Sequence, residues 1–258
     1  MTELGHLHYP VYVPSRGRAS RCLTSNLLSK FKVPHFVVVE PQEEDHYRAW
    51  LDPDWTELLV LPESDAGITF ARNWIKDHAM RGKATRHWQV DDNLQGLFTL
   101  TNRKRKRADP LSVMAHMEDF VDRYDNIGIA GTTAINFGAD YQDPFKLNQQ
   151  VYCHVLVRSD DLRWRGQHGS EDTDYSLQVL AAGDCTVMFT IWQHSKVASG
   201  KMAGGNTEGY EDDGRILRAR ELQAAWPTLG IKVSRRWDRP AMNLNHIWRK
   251  FPQRLERT

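Results

Sequence analysis

The sequence predicts an α/β fold, a doubly wound mixed sheet, parallel over its first hundred residues, in one domain with a mobile loop and a basic C-terminal extension. Through residue 100, short β-rich runs alternate with helical stretches, and a βαβαβ order implies parallel strands with right-handed crossovers. The chain has 258 residues, 40% hydrophobic and 26% charged, enough for one full core and ordinary for a globular protein. No apolar run approaches the length of a membrane span. Met1 to Tyr9 lacks the basic-then-apolar pattern of a signal peptide, so a cytoplasmic location without a membrane partner is expected.

The elements follow in order. Tyr9 to Val13 reads as a first strand, broken by Pro14-Ser15-Arg16-Gly17-Arg18. Ser20 is placed to cap a helix running to about Phe31, and Pro34 ends that unit. His35 to Val39 is a second strand, ending at Glu40. Asp45 to Leu51 reads as a short helix and Leu58 to Leu61 as a third strand. A helix from about Ile68 to Met80 carries Ile68, Ala71, Trp74, Ile75 and Ala79 on one stripe. The strand His87 to Val90 runs straight into Asp91-Asp92-Asn93. The second half reads as a helix over Pro110 to Tyr124 and strands over Ile127 to Ala130, Ala134 to Phe137 and Gln150 to Val157. A helix over Asp174 to Ala182, closed by Gly183, and a strand over Thr186 to Ile191 follow. Lys201 to Asp213 is glycine-rich and polar, the expected mobile loop. A last helix spans Ile216 to Trp226 before Pro227.

Cys22, Cys153 and Cys185 form no CxxC, so neither a disulfide framework nor a zinc knuckle is indicated; the latter two read as small core residues. Net charge is +1 but unevenly spread. Arg103-Lys104-Arg105-Lys106-Arg107 is an unbroken basic run, and from Lys232 onward eight basic residues face two acids. Such segments are either solvated surface or local binding sites for a polyanion.

Five constellations carry chemistry. Adjacent carboxylates at Asp91 and Asp92 each raise the cost of ionising the other, and a divalent cation removes that penalty. Oxygen ligands of this kind suit Mg²⁺ or Mn²⁺, and an α/β sheet binds its ligands at strand ends. The same residues also favour an ordinary turn. Pro14, Ser15, Arg16, Gly17 and Arg18 stand between a strand and a helix, where Gly17 admits close backbone approach and Ser15, Arg16 and Arg18 can donate to a base, ribose or diphosphate. There is no Walker loop and no GxGxxG. Arg72 and Asn73, one turn into a helix, are placed to meet a phosphate or sugar hydroxyl, or to form a solvated face. Gly169-Ser170-Glu171-Asp172-Thr173-Asp174 gathers three acids at a helix start. Capping explains one of them; a surplus carboxylate can deprotonate an incoming hydroxyl. Trp192-Gln193-His194 closes a late strand and offers a further metal ligand.

In this order the segments resemble GT-A-type nucleotide-sugar glycosyltransferases. Val13-Pro-Ser-Arg-Gly-Arg18, Asp91-Asp92-Asn93 and Gly169-Ser-Glu-Asp-Thr-Asp174 resemble more closely the TET-associated glycosyltransferases of bacteriophages. The third position of the metal motif departs, being Asn93 rather than Asp. The resemblance implies a GT-A-like sheet with a nucleotide-binding half over residues 1–100, an acceptor and catalytic half over 101–200, and the loop and extension over 201–258. It implies transfer of a sugar from a UDP-sugar to the hydroxyl of 5-hydroxymethylcytosine in DNA, with Mn²⁺ or Mg²⁺. Donor contacts then fall to residues 14–18, Glu40, Arg72, Asn73 and Asp91, and metal contacts to Asp91, Asp92 and His194. The base is expected among Glu171, Asp172 and Asp174. DNA contacts are expected from Arg103, Lys104, Arg105, Lys106, Arg107, Arg235, Arg236 and Arg239, with Trp237 either stacking or packed in the core. The glycine-rich loop is placed to close over the donor. No obligate protein partner is evident. A non-DNA acceptor, a nucleotidyltransferase and an inactive nucleic-acid-binding module remain open, as does inversion against retention.

Overall fold

The computed structural model of the chain describes residues 6–137, 141–166, 169–198, 201–205, 212–236, 239–242 and 244–258. Its centre is a mixed ten-stranded sheet. The first part is built as the alternation dictates: β1 (Val11–Pro14), β2 (His35–Val39) and β3 (Thr56–Val60) are parallel, and β4 (Arg86–Val90) pairs parallel with β1 on its other side. Side chains alternate between faces along each strand. Val11, Val13, Val37, Val39, Trp88 and Val90 therefore face α1 (Leu23–Lys30) and α4 (Pro110–Val121). Tyr12 and Val38 face α3 (Gly67–Arg81), where Ala71, Ile75 and Ala79 form the buried stripe.

Beyond β4 the sheet continues as β9 (His154–Arg158), β7 (Ile127–Ala134), β10 (Cys185–Lys196), β5 (Leu94–Thr101) and β6 (Lys104–Ala108). β9 is antiparallel to both neighbours, β10 is parallel to β7, and the short β8 (Phe145–Leu147) pairs with β10. The helix α5 (Glu171–Ala181) packs Tyr175 and Val179 against Ile129, Val155 and Val157 on the α3 face. Helices thus cover both faces. Among the described residues, no helix is long and apolar enough to cross a membrane.

Several boundaries differ from expectation. Ser20 lies in a single 3-10 turn, Ala19–Arg21, and α1 starts after Cys22 with no side-chain cap. The second helix is α2 (Glu44–Arg48), shorter than its apolar pattern. Ala134 to Phe137 is no separate strand: β7 runs through Ala134, and Ile135–Phe137 is a 3-10 turn. The strand placed over Gln150 to Val157 begins only at His154, because Cys153 holds a left-handed backbone (φ +71°). α5 starts three residues before Asp174, which puts Glu171, Asp172 and Asp174 together in its first turn. Ser170 does not cap it; its hydroxyl donates to Glu221 instead. His194 lies inside β10 rather than after it.

The C-terminal segment is no loose tail. α6 (Asp212–Ala225) contributes Leu222 to a cluster with Leu177 and Leu180 of α5 and with Ile247 and Trp248 of α7 (Asn245–Trp248). Asn148 Nδ2 donates to the carbonyls of Phe251 and Gln253, and Asn126 Nδ2 to that of Arg254. A hairpin of β11 (Val233–Arg236) and β12 (Arg239–Met242) stands apart from the main sheet.

Candidate active site

The strand order β3-β2-β1-β4 reverses direction between β1 and β4. A crevice opens at such a switch point, outside the carboxyl ends of the strands. Here it is a cavity of about 930 Å³. Its wall follows the sheet edge from Leu61, Glu40 and Ser15 through Asp91 and Tyr152 to Thr133 and His194. Asp91, Asp92, Glu171 and Asp172 all line it, so acids eighty residues apart in sequence share one space.

Arg72 joins them. It is buried, its guanidinium lies 4.6 Å over the Trp164 ring, and it meets Asp91 at 3.2 Å and Asp172 at 3.5 Å. Lys196 Nζ donates to the other oxygen of Asp91 at 3.2 Å. Burial alone would raise the Asp91 carboxyl; Lys196 and Arg72 outweigh it and hold it below the usual range. Asp172 goes the other way. Burial and the neighbouring charges of Glu171 and Asp91 outweigh Arg72, and its carboxyl is pushed up to about 7. Two acids with divergent proton affinities in one cavity mark a site that can hold a charge and move a proton.

Asp92 is differently placed. Ser15 Oγ donates to its Oδ2 at 2.6 Å, Arg18 Nη1 binds its Oδ1, and its side chain is 6% exposed. Arg18 also donates to the carbonyls of Ala203 and Gly204. Asp92 thus anchors Arg18, which in turn holds the 203–204 carbonyls, and it lines the same cavity as Asp91. Asp91 is the more open carboxylate, 26% exposed, with longer ion pairs.

Among the described residues no group of three or more His, Cys, Asp or Glu is arranged to hold an ion. Mg²⁺ bound with a nucleotide usually needs only one or two carboxylates plus substrate phosphates. Asp91 meets that lesser requirement. Asn93 Oδ1 and His194 Nε2, buried in the cavity wall without a hydrogen-bond partner, are further donors of suitable chemistry. His194 Nδ1 is paired with Thr132 Oγ1 at 2.9 Å, and burial lowers the ring to about 4, so it stays neutral as a ligand must.

Pro14, Ser15, Arg16, Arg18, Glu40 and Arg72 line the cavity as expected of donor contacts. Arg16 is half exposed and pairs with Asp65 and Glu40. Three expected residues do not line the cavity. Asn73 clamps the backbone of Trp164, donating to its carbonyl and accepting from its amide. Gly17 is left-handed (φ +65°), and what approaches it is the protein's own chain: a Cβ there would sit 3.2 Å from Gly204 Cα. Asp174 is saturated by two bonds from Arg165, one from Gln178 and one from Trp226 Nε1, all about 2.8 Å.

The basic run is the edge strand β6 with its turn, paired with β5. Arg105 turns inward, donating to Gln193 Oε1 and to the Ile135 carbonyl at 2.6 Å each. Arg107 lies over Phe98, and Lys104 and Lys106 are exposed. Arg235, Arg236 and Arg239 sit on the β11–β12 hairpin, whose last residue, Met242, reaches the cavity wall; their side chains, and Trp237, lie outside the described residues. Of the loop, residues 201–205 are described and cross the 15–18 segment, with Gly205 N donating to the Arg16 carbonyl; 206–211 lie outside.

Sequence reasoning missed Lys196, Tyr152, Trp164 and Tyr47, the last bound to Ser15 Oγ at 2.6 Å. The Ser195-Lys196 end of a strand read as stopping at Ile191 carried no motif. It also missed the β5–β6 hairpin, although Asn102, left-handed in the turn, is a turn residue by type.

A doubly wound sheet thus carries paired acids at its switch point, with a carboxylate of raised proton affinity in the same cavity. The chain belongs to the TET-associated glycosyltransferase family, whose model matches residues 9–205, and it is a glycosyltransferase. Among solved structures it is similar to a candidate nucleotide-diphospho-sugar transferase of Desulfovibrio desulfuricans G20, at 9% identity and a TM-score of 0.41, covering 81% of this chain and 96% of that one. No curated protein matches it in sequence.

Proposed function

We propose that the protein transfers a sugar from a UDP-sugar to the hydroxyl of 5-hydroxymethylcytosine in DNA, with a divalent ion on the diphosphate. The observation that carries this reading is Arg72, bound at once to Asp91 and Asp172 in one cavity. The donor occupies the β1–β4 side, where Ser15, Arg16 and Glu40 offer hydrogen bonds to nucleoside and phosphate. The acceptor enters from the β7–β10 side.

Asp172 takes the proton of the acceptor hydroxyl while that oxygen attacks the anomeric carbon. The bond from that carbon to the diphosphate oxygen breaks, and UDP leaves with the electron pair. Lys196 and Arg16 face the negative charge that develops. An ion held by Asp91, with Asn93 and His194 nearby, supplies further charge neutralisation when bound. The family supports a DNA acceptor, and the exposed basic strand β6 supports a polyanion.

The test is UDP release with a panel of UDP-sugars and duplexes carrying cytosine or 5-hydroxymethylcytosine. Release that depends on the hydroxymethyl group and falls in excess chelator is expected. Equal release with both duplexes contradicts the acceptor, and full release in chelator contradicts the ion.

A further inference from the structure

Four large apolar side chains are exposed among the described residues: Trp50, Phe137, Leu217 and Val233. Only Phe137 also lines the cavity, and at 69% it is the most exposed. It closes the 3-10 turn Ile135–Phe137, directly after Ala134, which is in register with His194. Arg105 braces that turn through the Ile135 carbonyl and holds Gln193 of β10 with the same guanidinium. The turn is thus joined to the strand that carries Lys104 and Lys106 into solvent. Tyr141 lines the same cavity, with Lys146 Nζ 4.2 Å over its ring.

An aromatic ring left in water on a cavity wall, beside a basic strand, has the chemistry of a nucleobase platform. Every base has a π-face, and basic side chains track the phosphates alongside. An enzyme acting on a base substituent inside a duplex must reach it in the groove or take the base out of the stack. We propose that Phe137 is the stacking surface of the acceptor subsite, packing against the target base or the neighbour it leaves behind. This rests on the DNA acceptor proposed above. Loss of one base–aromatic stack corresponds to roughly a 5- to 150-fold loss in affinity.

The experiment compares wild type, F137A and F137W on 5-hydroxymethylcytosine oligonucleotides, with 2-aminopurine beside the target as a stacking reporter. F137A is expected to raise the KM for DNA at least about fivefold. The KM for UDP-sugar should stay where it is. The fluorescence change on binding should disappear, and F137W should restore both properties. Ordinary melting of F137A controls for folding. If wild type transfers sugar to the DNA and F137A matches it in KM and fluorescence, the stacking proposal is wrong and the acceptor reading stands. If wild type transfers to no hydroxymethylated DNA, both fall.

Discussion

Asp172 sits where burial and two neighbouring acids work against one arginine. Its proton leaves near pH 7, so the rate should rise with pH through about 7 if this carboxylate is the base. Replacing it with Asn should lower kcat by roughly 10²- to 10⁴-fold and remove that limb of the pH profile, with the donor still bound. The same group carries a stability signature. Its folded pKa lies above the ordinary value of 3.8, so between 3.8 and about 7 the folded chain keeps a proton that the unfolded chain has lost. Stability contributed by this group therefore falls as pH rises through that window, and the full penalty applies above it. D172N should melt higher than wild type above pH 7 and equally below pH 4; thermal melts at the two ends check the sign. Asp92 predicts a different outcome. D92A leaves Arg18 buried without its carboxylate, and breaking a buried pair of this kind costs about 3 kcal/mol. Chemical denaturation should show that loss, and wild-type stability in D92A would refute the structural role. The acids were legible because carboxylates ending a strand, or crowding a helix start, stand out in sequence. Their partners were not. Arg72 reads as a surface residue until Trp164, ninety-two positions later, covers it. Asp174 reads like Asp172 until Arg165 and Trp226 claim it.

At the scale of elements, the first four strands and their helices follow from periodicity, since β1, β2 and β4 bury both faces and α3 one stripe. The β5–β6 hairpin does not, because five charged residues in a row hide a strand from any hydrophobic pattern. Its placement gives two readings with opposite outcomes. Lysines on an edge strand discourage edge-to-edge aggregation, and they also meet phosphates. Replacing Lys104 and Lys106 with Ser should reduce the salt slope of DNA binding by about 1.8 if both contact phosphate. An unchanged slope with more self-association favours edge protection. The 203–205 segment is held against 16–18 so closely that a Cβ on Gly204 would lie 2.7 Å from two carbonyl oxygens. G204A should release this contact, raising donor KM and the wasteful hydrolysis of UDP-sugar. Hydrogen exchange at residues 15–18 reads the loosening directly, and unchanged protection would show that the contact is dispensable.

Across the whole molecule, the cavity follows one end of the sheet, and the proposed donor and acceptor sides both lie along it. Five strand intervals separate β2 from β10, roughly 24 Å at the usual spacing, which is room for a sugar nucleotide and an acceptor end to end. The alternation of strands and helices foretold the parallel half but not the inserted antiparallel β9, which comes from residues 154–158 returning between β4 and β7. Nor did it foretell that the basic C-terminal segment would pack on α5 and bring Met242, Leu244 and Trp248 to the cavity, since scattered apolar residues among charges form no periodic face. The most direct measurement is mass spectrometry of nucleosides from 5-hydroxymethylcytosine DNA incubated with UDP-sugars and Mn²⁺, using wild type and D172N side by side. A hexose or N-acetylhexosamine mass added to hydroxymethylcytidine by wild type, and lost in a D172N protein that still binds the donor, is the predicted result. The same adduct formed equally by both proteins, or by neither with any UDP-sugar, would contradict it.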